Sequence, residues 1–263
     1  MDWELVLKLV VCLAAGAGAG FGTGFAGMSA AAVITPMLTT FLGMDTYSAI
    51  GIALASDVLA SGVSAITYAK NKNIDIKNGL IMMTCVLVFT VIGSILGDLI
   101  PSRTMGNFSV FMTMMLGVRF IAKPVMQTKE AMGEVSRKQQ IIRSIIAGVF
   151  IGLICGFVGA GGGMMMLLIL TTVLGYELKC AVGTSVFIMT FTALTGSVSH
   201  FIISGAPDWI SLCACVLFTL VFALLAAKIA NKAKPKTLNL VIGWILLGLG
   251  VIILTVNILQ RFI

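Results

Sequence analysis

Two glycine-dense stretches carry the strongest chemical signal: GFVGAGGG, Gly156 to Gly163, and GFAGMSAA, Gly24 to Ala31. Glycine weakens a helix interior by about 1 kcal/mol per residue relative to alanine, so such clusters need a compensating use. One use is a broken helix at membrane depth. The free backbone N–H groups at its start, with the positive end of the helix dipole behind them, can hold an anion. Non-helical backbone at that depth must line a cavity or be buried in protein, which an anion site satisfies. On this reading the candidate substrate-binding residues are Gly27, Met28 and Ser29 in one stretch, and Gly159, Gly161, Gly162 and Gly163 in the other. A phosphate-binding GxxxxGK[ST] loop is excluded, because neither cluster is followed by the required lysine. Close packing through small residues is the bland alternative, and it accounts for Gly16, Gly18 and Gly20.

Other side chains could join that chemistry. Thr184 and Ser185 lie near the start of the segment after the second cluster, either as ligand-contacting hydroxyls or as helix caps. Asp57, in ALASDVLASG, is an acid well inside an apolar run, and so a functional hypothesis by default. It can be read as a proton carrier, a cation-coupling ligand or a neutral acid bonded between helices. A charged Asp57 would repel an anionic cargo, which suits proton-linked movement. His200 and Tyr68 read as interface anchors or hydrogen-bonded core residues, and Arg119 as a side chain reaching for the membrane surface.

Sixteen methionines and six cysteines raise a different possibility, a soft-metal carrier with Met, Cys and Asp ligands. Against it, no CxxC or Cys/His spacing occurs, and consecutive methionines on a helix fan across different faces. The cysteines are expected to be structural. There is no Ser/Lys, paired Asp or HExxH arrangement, so the chain is not expected to be an enzyme, and no prosthetic group is implied.

The elements that must position these residues follow from composition. The 263 residues are 59% hydrophobic and 10% charged, against about 25% charged in a soluble domain. Eight apolar runs, at 5–22, 48–69, 79–99, 104–122, 141–157, 180–203, 209–227 and 238–259, are long enough, or nearly so, to cross a bilayer. Two shorter runs, 29–42 and 163–174, would reach only about 21 Å and 18 Å as helices. Asp2 and Glu4 stand where a cleaved leader would carry basic residues. The net charge of +7 sits in short loops and does not point to nucleic acid. The expectation is a polytopic all-α membrane protein.

The chain also repeats itself. AGAGAGFGTGFAG from Ala15 aligns without gaps on AGVFIGLICGFVG from Ala147, an offset of 132 positions. LTTFLG (Leu38–Gly43) then meets LTTVLG (Leu170–Gly175), and Ala49 and Gly51 meet Ala181 and Gly183. Loop charges reverse between the halves. KNKNIDIK (Lys70–Lys77) is lysine-rich while its counterpart ISGAPDW (Ile203–Trp209) has no cation. GDLIPSR (Gly97–Arg103) gives way to KIANKAKPK (Lys228–Lys236), with four lysines. If cations mark the cytoplasm, equivalent loops lie on opposite sides. This predicts an inverted-topology repeat: half one over 1–122, a cytoplasmic linker over 123–140 and half two over 141–263. Each half has five segments, giving eight long spans and two short broken or re-entrant helices, with both termini outside. Inverted repeats with glycine-interrupted segments at matching positions are the pattern of secondary transporters.

These residues resemble the TauE/SafE family of sulfite and organosulfonate exporters. The matching text in half two is GFVGAGGG, then AVGTSVF (Ala181–Phe187) and SGAPDW (Ser204–Trp209); in half one it is GFAGMSAAAVITPML (Gly24–Leu38), which keeps the family's proline as Pro36. Half one has Met28-Ser29-Ala30-Ala31 where the family usually has a glycine triplet, and half two has Leu168 where a proline is usual. The resemblance implies a multi-pass transporter of the plasma or inner membrane that carries a small sulfur-containing anion. Export is what the family name implies; alternating access follows from the inverted repeat, and the proton motive force is the energy source that an intramembrane Asp57 would suit. The sequence leaves a homodimer open.

Overall fold

The computed structural model describes residues 3–97, 111, 114–126, 136–158, 162–204 and 206–259. Among these residues every regular element is a helix. In chain order they are α1 (Trp3–Ala26), α2 (Ala31–Leu42), α3 (Thr46–Lys70), α4 (Ile76–Gly97), a helical stretch α5 over 114–122, α6 (Arg137–Val158), α7 (Gly162–Thr172), α8 (Leu178–Ser204), α9 (Trp209–Lys232) and α10 (Pro235–Leu259).

Five of them hold segments long and apolar enough to cross a membrane: Trp3–Ala26, Ser48–Lys70, Leu178–Ile202, Trp209–Lys232 and Pro235–Ile252. The sequence led us to expect eight. Of the other three runs, 79–99 and 104–122 extend beyond the described residues, and 141–157 lies within α6. The two short runs form short helices, α2 with 12 residues and α7 with 11. At 1.5 Å per residue these reach only about 18 Å and 16 Å. Both are closed by a left-handed glycine, Gly43 at φ +60° and Gly175 at φ +67°, a conformation that glycine adopts without Cβ strain. Those two glycines end the matched LTTFLG and LTTVLG sequences.

Helix pairing crosses between the halves. α1 runs parallel to α9, with Gly16 against Phe218 and Thr219, Gly20 against Phe222 and Ala223, and Gly24 against Ala226 and Ala227. A methyl group on Gly20 would stand 2.7 Å from both the Phe222 Cβ and the Thr219 carbonyl oxygen. Glycine is what lets the backbones approach so closely. α4 and α6 form a second parallel pair, in which Gly148 meets Met82 and Cys85 and Gly152 meets Val86 and Phe89. α3 and α8 run antiparallel through the centre, joining Gly51 to Phe201, Leu54 to Gly196 and Gly62 to Thr190. α5 meets α10 at Gly117 and Gly243.

The burial pattern is that of a protein dissolved in lipid. Large apolar side chains such as Val10, Phe150, Ile202 and Trp244 face outward, while Ser56, Asp57, Ser61, Ser64, Thr184 and Ser185 are fully or almost fully buried. With no water at that depth, hydroxyls and acids turn inward to find partners.

Candidate functional site

The first glycine cluster breaks the chain. α1 ends at Ala26, Gly27 turns left-handed at φ +61°, and α2 starts at Ala31. The break is tied down by its own neighbours. The Gly27 amide donates to the Thr23 carbonyl at 2.9 Å, and the Thr23 hydroxyl donates to the Met28 carbonyl at 2.8 Å.

Asp57, near the middle of α3, points at this break. The Ser29 hydroxyl donates to one carboxylate oxygen at 2.7 Å and the Ser61 hydroxyl to the other at 2.8 Å. The Ser29 oxygen in turn accepts the Ala31 amide at 3.3 Å. All of these side chains are buried. A carboxylate therefore sits against the N-terminus of α2, where the helix dipole favours negative charge.

The second half closes over the same place. Ser185 donates its hydroxyl to the Gly27 carbonyl at 3.1 Å. Gly163, in the first turn of α7, is so near that a methyl on it would lie 2.7 Å from the Gly27 oxygen and 2.9 Å from the Ser29 nitrogen. The same methyl would lie 2.6 Å from the Met189 sulfur. Met189 lies 132 positions after Asp57, and the N-terminus of α7 faces its neutral thioether where that of α2 faces an acid.

The structure thus brings together Gly27, Met28, Ser29, Asp57, Gly163 and Ser185. Gly162 opens α7, while Gly159 and Gly161 lie outside the described residues. Thr184 goes elsewhere: its hydroxyl accepts the Asp75 amide at 3.1 Å, in the loop before α4. Sequence reasoning missed Ser61, although its place four residues after Asp57, on the same helical face, was a usable signal. Among the described residues no group of three His, Cys, Asp or Glu stands where it could hold a metal ion.

Polar clusters mark both ends of the bundle. At the start of α1, Lys8 pairs with Asp208 at 2.8 Å, and Ser211 donates to the same carboxylate oxygen at 2.6 Å. Burial pushes the Asp208 carboxyl up. The hydrogen bonds from Lys8 and Ser211 and the Lys8 charge outweigh that and hold it below its ordinary 3.8. A depressed carboxyl is still charged at that value, so the pair is intact near neutral pH and is lost only as pH falls below it, through the lowered pKa of the folded protein. At the far end, Asp75 accepts the Asn78 amide at 3.1 Å on one oxygen. Its other oxygen takes the Asn78 side chain at 2.6 Å and the Tyr176 hydroxyl at 2.9 Å. These groups line an open pocket with Gln140, Arg143 and Ser144.

Residues 12–253 match the family model described as sulfite exporter TauE/SafE. The chain is 26% identical to the probable membrane transporter protein YunE of Bacillus subtilis (strain 168), over 93% of this chain and 96% of that one. It is 24% identical to the probable membrane transporter protein YdhB of the same organism, over 81% of this chain and 86% of the other.

Proposed function

The chain belongs to the sulfite exporter TauE/SafE family of membrane transporters, and from that premise we propose that it carries a small sulfur-containing oxyanion by alternating access, bound where the two glycine breaks meet. It is a multi-pass membrane protein and not an enzyme. The observation that carries the proposal is the approach of Gly163 to Gly27 and Ser29, with Met189 beside it. Amides at the start of α7 and the Ser185 hydroxyl offer neutral donors to sulfite or sulfonate oxygens. The start of α2 is already engaged by Asp57, so the cargo's place is on the α7 side. Neutral donors also release what they bind, as transport requires.

Asp57 is the coupling residue in this reading. A proton on it would remove the repulsion between carboxylate and cargo, linking anion movement to the proton gradient. The antiparallel run of α3 and α8, which are repeat equivalents, supports an inverted relation between the halves. So do the two parallel pairs, α1 with α9 and α4 with α6, which exchange under the repeat. Positive-inside loops put the Asp75 end in the cytoplasm of the plasma or inner membrane and both termini outside. Export is the direction that the family's name carries.

Flux of labelled sulfite and taurine into proteoliposomes, measured beside zinc and copper uptake, tests the cargo. Anion flux without metal flux is expected. Metal flux without anion flux would overturn the proposal in favour of a soft-metal carrier.

A further inference from the structure

We propose that Asp75 and Arg143 form the counterpart of the Lys8–Asp208 ion pair at the opposite end of the bundle, and that the two pairs close in alternation. This rests on the alternating-access reading and gives it two latches.

The two ends are built alike. Asp208 directly precedes α9, and Ser211, three residues on, donates to it. Asp75 directly precedes α4, and Asn78, three residues on, donates to it. Each acid faces the first turns of the helix that runs parallel to its own: α1 carries Lys8 beside α9, and α6 carries Arg143 beside α4. The register agrees. Gly16 sits beside Phe218 and Thr219, which sets Lys8, eight residues earlier, level with 210–211. Gly148 sits beside Met82 and Cys85, which sets Arg143, five residues earlier, level with 77–80. Each cation is therefore about one helical turn along from its acid, within reach of a long side chain.

The two ends differ in state. Lys8 and Asp208 are joined at 2.8 Å, whereas no such pair joins Arg143 to Asp75. Arg143 is exposed beside the Asp75 pocket, and the Tyr176 hydroxyl and the Asn78 side chain share one Asp75 oxygen. One seam is closed by an ion pair, and at the other Asp75 is held by Tyr176 and Thr184 instead of by Arg143. Both seams have room to splay at these ends, because the tight glycine contacts begin only at Gly16 in α1 and Gly148 in α6. An ion pair that solvent still reaches, as at Lys8 and Asp208, is weak, which suits a latch that must release in every cycle.

Hydrogen–deuterium exchange on the full-length purified protein tests this without reference to any cargo. Asp208→Asn frees the closed latch, so exchange around Lys8 should rise and exchange over 140–144 should fall, each by about two- to five-fold. Adding Arg143→Gln to Asp208→Asn should return both ends toward wild type, because the competing latch is gone. Exchanging the charges, Asp75→Arg with Arg143→Asp, should leave the Asp208→Asn profile in place. If Asp208→Asn moves the two ends in opposite directions and Arg143→Gln changes nothing, the second latch is overturned while alternating access stands. If the ends never move oppositely, both fall.

Discussion

Gly163 in the second half lies so close to Gly27 in the first that a methyl group on Gly163 would stand 2.7 Å from the Gly27 carbonyl oxygen. The obstruction is backbone, and the Ser29 nitrogen at 2.9 Å adds to it, so no side-chain rotation relieves the clash. Gly163→Ala must push the two breaks apart, an overpacking of about 1–3 kcal/mol. Flux in proteoliposomes should fall by about tenfold or more, since every 1.4 kcal/mol is a factor of ten. Gly62→Ala, whose methyl would meet only Thr190 at 3.7 Å, should transport like wild type. Full flux from Gly163→Ala would separate this contact from the transport site.

Asp57 lends itself to two measurements, because its structural and coupling roles respond differently. Ser29→Ala or Ser61→Ala removes one donor from a buried carboxylate, a loss of about 1.5–3 kcal/mol for a charge-assisted bond, and should lower the thermal midpoint. Ser64→Ala removes a buried hydroxyl with no hydrogen-bond partner and should barely move it. Asp57→Asn keeps the volume but cannot exchange a proton. Uptake driven by a pH gradient should collapse in that variant, while anion exchange at equal pH survives. A wild-type response to the gradient in Asp57→Asn would take this residue out of the coupling mechanism.

What the sequence made legible was local. The apolar runs 29–42 and 163–174 announced two short helices, while the left-handed glycines that end LTTFLG and LTTVLG emerged only in the structure. The break after Ala26 was legible because GFAGMS sets two glycines in apolar surroundings, where a helix interior would not favour them. Asp57 stood out because a charge inside an apolar run needs a reason. The meeting of distant parts was not legible. Lys8 and Asp208 are 200 positions apart, and nothing in either local pattern names the other. Thr184 and Ser185 are adjacent, yet a helix turns 100° between them, so one serves the Asp75 loop and the other the Gly27 break. Helices that are apolar all round do not reveal which face meets protein and which meets lipid, since both partners are apolar. The parallel pairing of α1 with α9 therefore had to come from the structure.

That pairing supports one more expectation. Cys12 of α1 and Cys215 of α9 are both fully buried, and the register that sets Gly16 beside Phe218 and Thr219 puts them level with one another, one turn along from Lys8 and two from Asp208. Buried thiols meet an oxidant only when their seam opens, so the rate at which they join reports that opening. With copper phenanthroline and dissolved oxygen, two thiols become one disulfide, releasing two protons and passing two electrons to oxygen. Trypsin then cuts the basic stretch over 123–140. The two halves should stay together on a non-reducing gel and part when dithiothreitol is added, and Cys12→Ser should abolish the link. Flux should stop on oxidation and return on reduction, because a covalent bond at this level holds the Lys8 end shut. Flux that continues through a fully cross-linked sample would show that this end of the α1–α9 seam never has to part, and the alternating latches would fall with it.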